Sequence, residues 1–162
     1  MFSKEERSSF KYWYAHRCAF NMTALNCGAW RFKYLFHDME KPFMKLFFDY
    51  KKVQTLHRKH NKHHPEWLEY KLEKLIRKCG NGLGSYQVNK LLNKFDYKAA
   101  IIDWECSHFT KEACKLDAAD EYRRLTDYHN FSDKYPHITF YCFEEFKEKL
   151  EMALVELNLW HK

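Results

Sequence analysis

Glycine and proline are scarce in this chain of 162 residues, which has four glycines and three prolines. Folds built from many short strands need frequent turns, and turns depend on these two residues. Their scarcity argues against a β-rich fold and favours helices joined by short loops. Since 46% of the residues are hydrophobic and 19% are aromatic, the chain has enough apolar surface for a packed core. We predict an all-α, compact single domain, a helical bundle that spans residues 1–162.

The chain also lacks an apolar run near the roughly 20 residues that a membrane span requires. Its opening residues, MFSKEER, do not have the pattern of a signal peptide. No two cysteines form a CxxC pair, and their spacings do not favour a four-cysteine zinc site. We therefore expect a cytoplasmic protein with no membrane partner and with free thiols. The cysteines are Cys18, Cys27, Cys79, Cys106, Cys114 and Cys142.

The charge balance is modestly basic, with 28 lysines and arginines against 22 acidic residues and a formal net charge of +6. This excess would attract a small anionic substrate such as a phosphate ester. It falls short of the dense basic stripe of a dedicated nucleic-acid binder. We therefore favour a small phosphate-containing substrate over nucleic acid, and the composition carries no prediction of oligomeric state.

Apolar spacing predicts a series of helices, with a glycine-rich surface loop at about 79–85 and a polar turn at about 129–137. Pro42 suits the first turn of the third helix, the chain ahead of Pro65 should leave the helical conformation, and Thr139 is the expected N-cap of the last helix. The predicted helices cover residues of about 5–26, 29–38, 42–60, 66–78, 86–93, 96–109, 111–128 and 139–160.

Candidate metal ligands are spread along these helices. His16 shares a helical face with Trp13 and Phe20, so it should point inward; a core histidine bonded to a backbone carbonyl is the alternative. The adjacent His37 and Asp38 would point about 100° apart on a regular helix, so both can reach one ion only at a helix end.

Asp103 is a further candidate ligand, since its helix is otherwise apolar and a buried carboxylate needs a partner. Either a cation or a buried arginine or lysine would serve. The residues one turn away are small, which leaves room for an ion: Ala99, Ala100, Cys106 and Ser107.

Four histidines occur within the eight residues from His57 to His64. His57, His60 and His64 would form one stripe if the helix continued that far. A solvated basic face, with Arg58, Lys59 and Lys62, is the alternative interpretation.

The order His16, His37-Asp38 and Asp103 resembles the H…HD…D ligand pattern of the HD-domain superfamily of metal-dependent phosphohydrolases. His37-Asp38-Met39-Glu40-Lys41 resembles its HDxxK form. The segment from His57 to Trp67 is similar to the HxxxNxHH segment of a small HD-like family, and Asp103-Trp104 matches the later Asp-Trp of that family. The resemblance covers about residues 10–110, and the helices of about 111–162 would pack against this core.

The resemblance implies an HD-type fold that holds one or two divalent transition metal ions and hydrolyses a nucleotide or related phosphate ester with a metal-activated water. His16, His37, Asp38 and Asp103 would hold the first ion, and His57 and His64 a second. Lys41, His60 and His63 would bind the substrate phosphate. A mixed-valent di-iron oxygenase and a non-catalytic binding protein with the same fold are the alternatives.

Overall fold

A computed structural model describes residues 9–111 and 116–160. These residues form nine α-helices and no β-strand, which confirms the all-α prediction. The helices are α1 (Phe10–Asn26), α2 (Glu40–Lys45), α3 (Tyr50–His60), α4 (Pro65–Cys79), α5 (Ser85–Leu92), α6 (Tyr97–Thr110), α7 (Ala118–Leu125), α8 (Tyr128–Lys134) and α9 (Pro136–Glu156). Two short 3-10 helices, Phe32–Phe36 and Gly80–Gly82, lie between them.

Helix α6 lies at the centre and packs against α1, α7 and α9. Its residues Ala99 to Asp103 are all buried, and Cys106, Ser107 and Thr110 are buried beyond them. Helix α1 buries Trp13, His16 and Phe20 against it, which confirms the inward face predicted for His16. The metal-ligand candidates on α1 and α6 therefore meet inside the molecule.

Side-chain caps set where many of the helices begin. Each capping side chain accepts a hydrogen bond from a backbone N–H in the first turn, which would otherwise lack a partner. These caps are Ser9 before α1, Asp49 before α3, Asp96 before α6, Asp117 before α7 and Asp127 before α8. Helix α1 ends at Asn26, with Cys27 as its C-cap. The next residue, Gly28, has a left-handed φ of 64°, which costs glycine little.

Two predicted helices near the site are different in the structure. The helix predicted over 29–38 is a 3-10 helix, Phe32–Phe36. The helix predicted over 42–60 is two helices, because Asp49 caps a new helix with its side chain accepting from the Lys52 N–H at 2.8 Å. Pro42 lies in the first turn of α2 as predicted.

The C-terminal third also departs from the prediction. The helix predicted over 111–128 is the shorter α7, and its expected residues 112–115 lie outside the described part. The predicted polar turn at 129–137 is α8 followed by the start of α9. Thr139 is not an N-cap, since it lies inside α9 and its hydroxyl donates to the Tyr135 carbonyl at 2.9 Å.

None of the helices in the described ranges has the length and apolar character needed to cross a bilayer. The five cysteines that lie within these ranges are all free thiols, as predicted. Cys114 lies outside the described residues.

Candidate metal centre

The packing of α1 on α6 brings His16 and Asp103 into direct contact. His16 Nε2 lies 2.9 Å from Asp103 Oδ1, and the two residues are 2% and 8% exposed. The packing of α1 on α6 therefore brings together two residues that are 87 positions apart in the sequence.

His37 and Asp38 reach the same place from the chain between α1 and α2. His37 directly follows the 3-10 helix, and Asp38 has a left-handed φ of 60°. Aspartate tolerates this region better than most residues. The pair therefore lies at a helix end, which meets the geometric condition for two adjacent residues to face one ion. The His37 ring stacks on Phe20 with centroids 3.7 Å apart, which fixes its orientation.

His16, His37 and Asp103, the first ligand group, have ligand atoms that all lie within 4.8 Å of one another. His37 Nε2 lies 3.5 Å from Asp103 Oδ1. Two cis ligands at about 2.1 Å from one octahedral ion are separated by about 3.0 Å, and tetrahedral ligands by about 3.4 Å. The separations at the site match those of ligands that share an ion.

His57, His63 and His64, the second ligand group, have ligand atoms within the same 4.8 Å limit. His57 projects from α3, whereas His63 and His64 belong to the loop before α4. His57 Nε2 lies 2.8 Å from His64 Nε2. Since two imidazole nitrogens cannot both present lone pairs at this distance without repulsion, a shared proton or cation is required between them.

Asp38 lies between the two ligand groups. Its Oδ1 is 3.1 Å from His57 Nε2 and 3.6 Å from His37 Nε2. Its Oδ2 is 3.6 Å from His16 Nε2 and 2.5 Å from Lys41 Nζ. Its carboxylate therefore faces both groups, as a bridging ligand would.

The hydrogen bonds of His16 depend on its tautomer. Thr110 Oγ1 donates its proton to the Cys106 carbonyl at 2.9 Å, so it can accept from His16 Nδ1, 3.3 Å away. In this tautomer the lone pair of Nε2 is directed at the Asp103 carboxylate, and a cation between the two atoms would remove the repulsion. In the other tautomer Nε2 donates to Asp103 at 2.9 Å.

His57 is oriented in the same way by Glu40 and Asn61. Its Nδ1 donates to Glu40 Oε1 at 2.5 Å, and Asn61 Nδ2 donates to the same oxygen at 2.8 Å. Burial alone would raise the pKa of Glu40, but the hydrogen bond from His57 holds it at about 2. A carboxylate–histidine pair of this kind fixes the tautomer of a metal-binding histidine and raises its basicity.

Three buried polar atoms at the site make no hydrogen bond within the described part of the chain. They are His37 Nε2, Asp38 Oδ1 and His63 Nε2. Buried polar atoms without partners cost free energy, yet these three converge and are all of ligand type. The set of imidazole nitrogens and carboxylate oxygens suits a divalent transition metal ion. These groups could therefore hold a metal ion, and their donor set fits one.

Burial keeps the histidines in the protonation state that binds metals. It lowers the pKa of His16 and His64, and it lowers that of His63 to about 3. Burial alone would raise the pKa of Asp38, but electrostatic interactions with His37 and Lys41 hold that pKa well below its usual range. At neutral pH these side chains are neutral imidazoles and an ionised carboxylate, which are the forms that bind metals.

The three predicted substrate-binding residues, Lys41, His60 and His63, lie in different environments. Lys41 is buried against Asp38 and lines the cleft over the site. His63 is buried among the candidate ligands and belongs to two of the groups whose atoms could hold an ion. His60 lies apart from them, because it is exposed at the end of α3 and its ring faces Tyr70, 6.2 Å away. The predicted stripe fails since α3 ends at His60, and His64 reaches the site from the loop.

A cleft of about 600 Å³ opens from the candidate metal centre to the surface. His16, His57, His64 and Asp103 contribute to its floor. Five basic side chains line it: Lys41, Arg58, Lys111, Arg124 and Lys134. Besides Asp103, the acidic residues in its lining are Glu66 and Glu121, so its walls carry a net positive charge.

Comparisons with protein-family models, with curated proteins and with solved structures find no match. What is established for this chain is an all-α fold with a buried group of histidines and aspartates that could hold a metal ion. The resemblance to the HD-domain superfamily stays a prediction that depends on the order and spacing of those residues.

Glu40, Asn61 and Thr110 support the ligands but were not among the predicted site residues. Asn61 is the asparagine of the HxxxNxHH segment, so its place in that motif was an available signal. Glu40 lies within the HDxxK motif, two residues after Asp38. Thr110 has no such signal, because only the packing of α1 on α6 brings it to His16.

Proposed function

We propose that this protein is a metal-dependent phosphohydrolase of the HD-domain type. The observation that carries the proposal is the position of the two ligand groups at the floor of a cleft with basic walls. Ligand groups of this kind in a closed core would serve stability alone. Here they border a space that a small anionic molecule can enter.

The donor set supports two ions. His16, His37 and Asp103 would hold one, His57, His63 and His64 the other, and Asp38 would contribute to both. A divalent transition metal supplies a Lewis acid for the phosphoryl oxygens and lowers the pKa of bound water to near 7.

The protein side chains around the centre bind and orient the phosphate. Lys41 Nζ has three donors and uses one on Asp38, so it can donate others to a phosphate in the cleft. The basic walls attract the anion and hold it at the floor. The buried, aromatic surroundings of His16 and His37, which include Tyr12 and Phe20, keep bulk water from the ligands.

The experiment is a hydrolysis assay on protein loaded with Mn²⁺, Fe²⁺, Co²⁺ or Zn²⁺, with p-nitrophenyl phosphate, bis(p-nitrophenyl) phosphate and a panel of nucleotides as substrates. We expect metal-dependent release of product that falls at least 100-fold in Asp103→Asn. His60→Ala is the matched control, since His60 belongs to the same histidine run but is exposed. Activity that survives chelation, or that is equal in Asp103→Asn and wild type, contradicts the proposal.

A di-iron oxygenase is the second candidate, and the position of Asp38 between the two ligand groups favours it over a single-ion hydrolase. Such an enzyme would consume O₂ only when loaded with iron. Oxygen uptake in the iron-loaded protein, with no hydrolysis under nitrogen in any metal form, would replace the first proposal with this one.

A further inference from the structure

Among the residues that the structure describes, one basic side chain in the cleft lacks the acidic partner that the others have. Arg58 and Lys134 both lie 3.4 Å from Glu66 Oε1, Arg124 pairs with Glu121, and Lys41 pairs with Asp38. Within residues 9–111 and 116–160, no carboxylate lies within ion-pair distance of Lys111 Nζ. Its polar contact there is the hydroxyl of Ser107, at 2.6 Å.

Ser107 and Lys111 extend the line of α6 that begins at Asp103. Asp103 and Ser107 are one turn apart on α6. Lys111 is the extended residue that directly follows the helix; its backbone N–H donates to the Ser107 carbonyl at 3.0 Å, and its Nζ lies beside the Ser107 hydroxyl. Four residues of helix span about 6 Å, which puts this hydroxyl and ammonium about one turn from the metal ligand Asp103.

Both side chains face the cleft and are sheltered from solvent. Ser107 is 5% exposed, Lys111 is partly buried, and both line the cleft together with Asp103. A partly buried ammonium whose partner in the described ranges is a neutral hydroxyl gains much from an anion, since charge-assisted hydrogen bonds to phosphate are among the strongest. The Ser107 hydroxyl can donate to the same anion, because Lys111 uses it as an acceptor.

We propose that Ser107 and Lys111 form a second phosphate subsite, and that the substrates of this protein carry a diphosphate group rather than a single phosphate. The phosphate that reacts lies at the ligand groups, and its neighbour lies one turn along α6 on Ser107 and Lys111. A diphosphate reaches farther than a single phosphate because its outer oxygens lie on two phosphorus atoms, so it can contact both positions, whereas a simple monoester leaves the subsite empty. This proposal rests on the proposed function, which places the first phosphate at the two ligand groups.

The test measures binding rather than turnover. Methylenebisphosphonate, a non-hydrolysable diphosphate analogue, and inorganic phosphate are titrated calorimetrically into protein loaded with an excess of Mn²⁺. We expect the wild type to bind the bisphosphonate at least tenfold more tightly than phosphate. In Lys111→Ala this preference should fall about tenfold, and Lys111→Arg should restore most of it. Since bisphosphonates also bind free metal ions, every variant is compared at the same metal and ligand concentrations.

Lys94→Ala is the matched control, because Lys94 is an exposed lysine outside the cleft and its loss changes the net charge equally. It should keep the wild-type preference. An equal preference in Lys111→Ala and wild type overturns the subsite, as does an equal loss of preference in Lys94→Ala. These outcomes leave the proposed function standing if the metal-loaded protein still binds phosphate and hydrolyses p-nitrophenyl phosphate. A protein that binds neither metal nor phosphate overturns both proposals.

Discussion

His16 Nε2 and Asp103 Oδ1 lie 2.9 Å apart in the core. When the proton of a neutral His16 is on Nδ1 and is donated to Thr110 Oγ1, 3.3 Å away, the lone pair of Nε2 faces the carboxylate, and a cation between the two atoms would remove the repulsion. In the second ligand group, His57 Nε2 and His64 Nε2 lie 2.8 Å apart, where a shared proton or a cation is required. Both contacts are therefore places where a metal ion could replace a proton.

Thr110→Val should weaken metal binding. Valine has nearly the shape of threonine but cannot accept the His16 Nδ1 proton. The substitution therefore favours the tautomer with the proton on Nε2, the nitrogen that would bind the metal ion. We expect metal affinity to fall about 10- to 100-fold, as for other residues that orient ligands. Thr139→Val is the control, because Thr139 also donates to the carbonyl four residues before it, in α9. An equal effect of the two substitutions on metal affinity would refute the role of Thr110.

Glu40→Gln should act on the second ligand group alone. The substitution removes the negative charge that accepts the His57 Nδ1 proton and so lowers the basicity of Nε2. We expect the affinity for the second ion to fall by about tenfold or more, while the first ion is retained. Metal titration followed by calorimetry checks this. Glu73→Gln, at an exposed residue paired with Arg77, should change neither ion.

Stability of the chelated protein should fall as the pH is lowered from 8 to 5. The pKa of His63 is about 3 in the folded protein against an ordinary value of 6.5. Below pH 6.5 the unfolded chain therefore binds a proton that folded His63 does not, which favours unfolding. At pH 5 this single residue costs about 2 kcal/mol, and the lowered pKa values of His16 and His64 act in the same direction. Urea unfolding at each pH measures the effect.

The same unfolding series with His63→Leu should show a smaller loss of stability between pH 6.5 and 5, because one proton fewer is taken up on unfolding. A chelated wild-type protein that becomes more stable on acidification, or a His63→Leu variant with the same slope, contradicts this account of the pH dependence.

The parts of the site that were predictable from the sequence are those set by local chemistry. His16 has an aromatic helical face and Asp103 a ring of small residues, and these surroundings predicted that both point inward. His37 and Asp38 could share an ion only at a helix end, which is where they lie. The order of all four residues then supplied the family resemblance.

The remaining features depend on tertiary packing or on competing local signals. Asp49 and Asp127 are good N-caps that begin α3 and α8, but the apolar spacing around them predicted a continuous helix in one case and a turn in the other. His60 is rotated about 60° from His57 on the helix, a difference that turns it to solvent. Glu40 reaches His57 only because α2 packs on α3.

The most direct test of the metal centre is elemental analysis of the protein after metal loading and gel filtration, combined with thermal unfolding of the same samples. We expect up to two transition metal ions per chain in the wild type and a higher melting temperature than that of the chelated protein. In Asp103→Asn the metal content should fall by at least half and the metal-dependent rise in melting temperature should be reduced. Its amide can donate to His16 Nε2, so its chelated form should be at least as stable as the chelated wild type. A wild-type protein that retains less than about a tenth of an ion per chain, or an Asp103→Asn variant with the wild-type metal content, would contradict the metal centre.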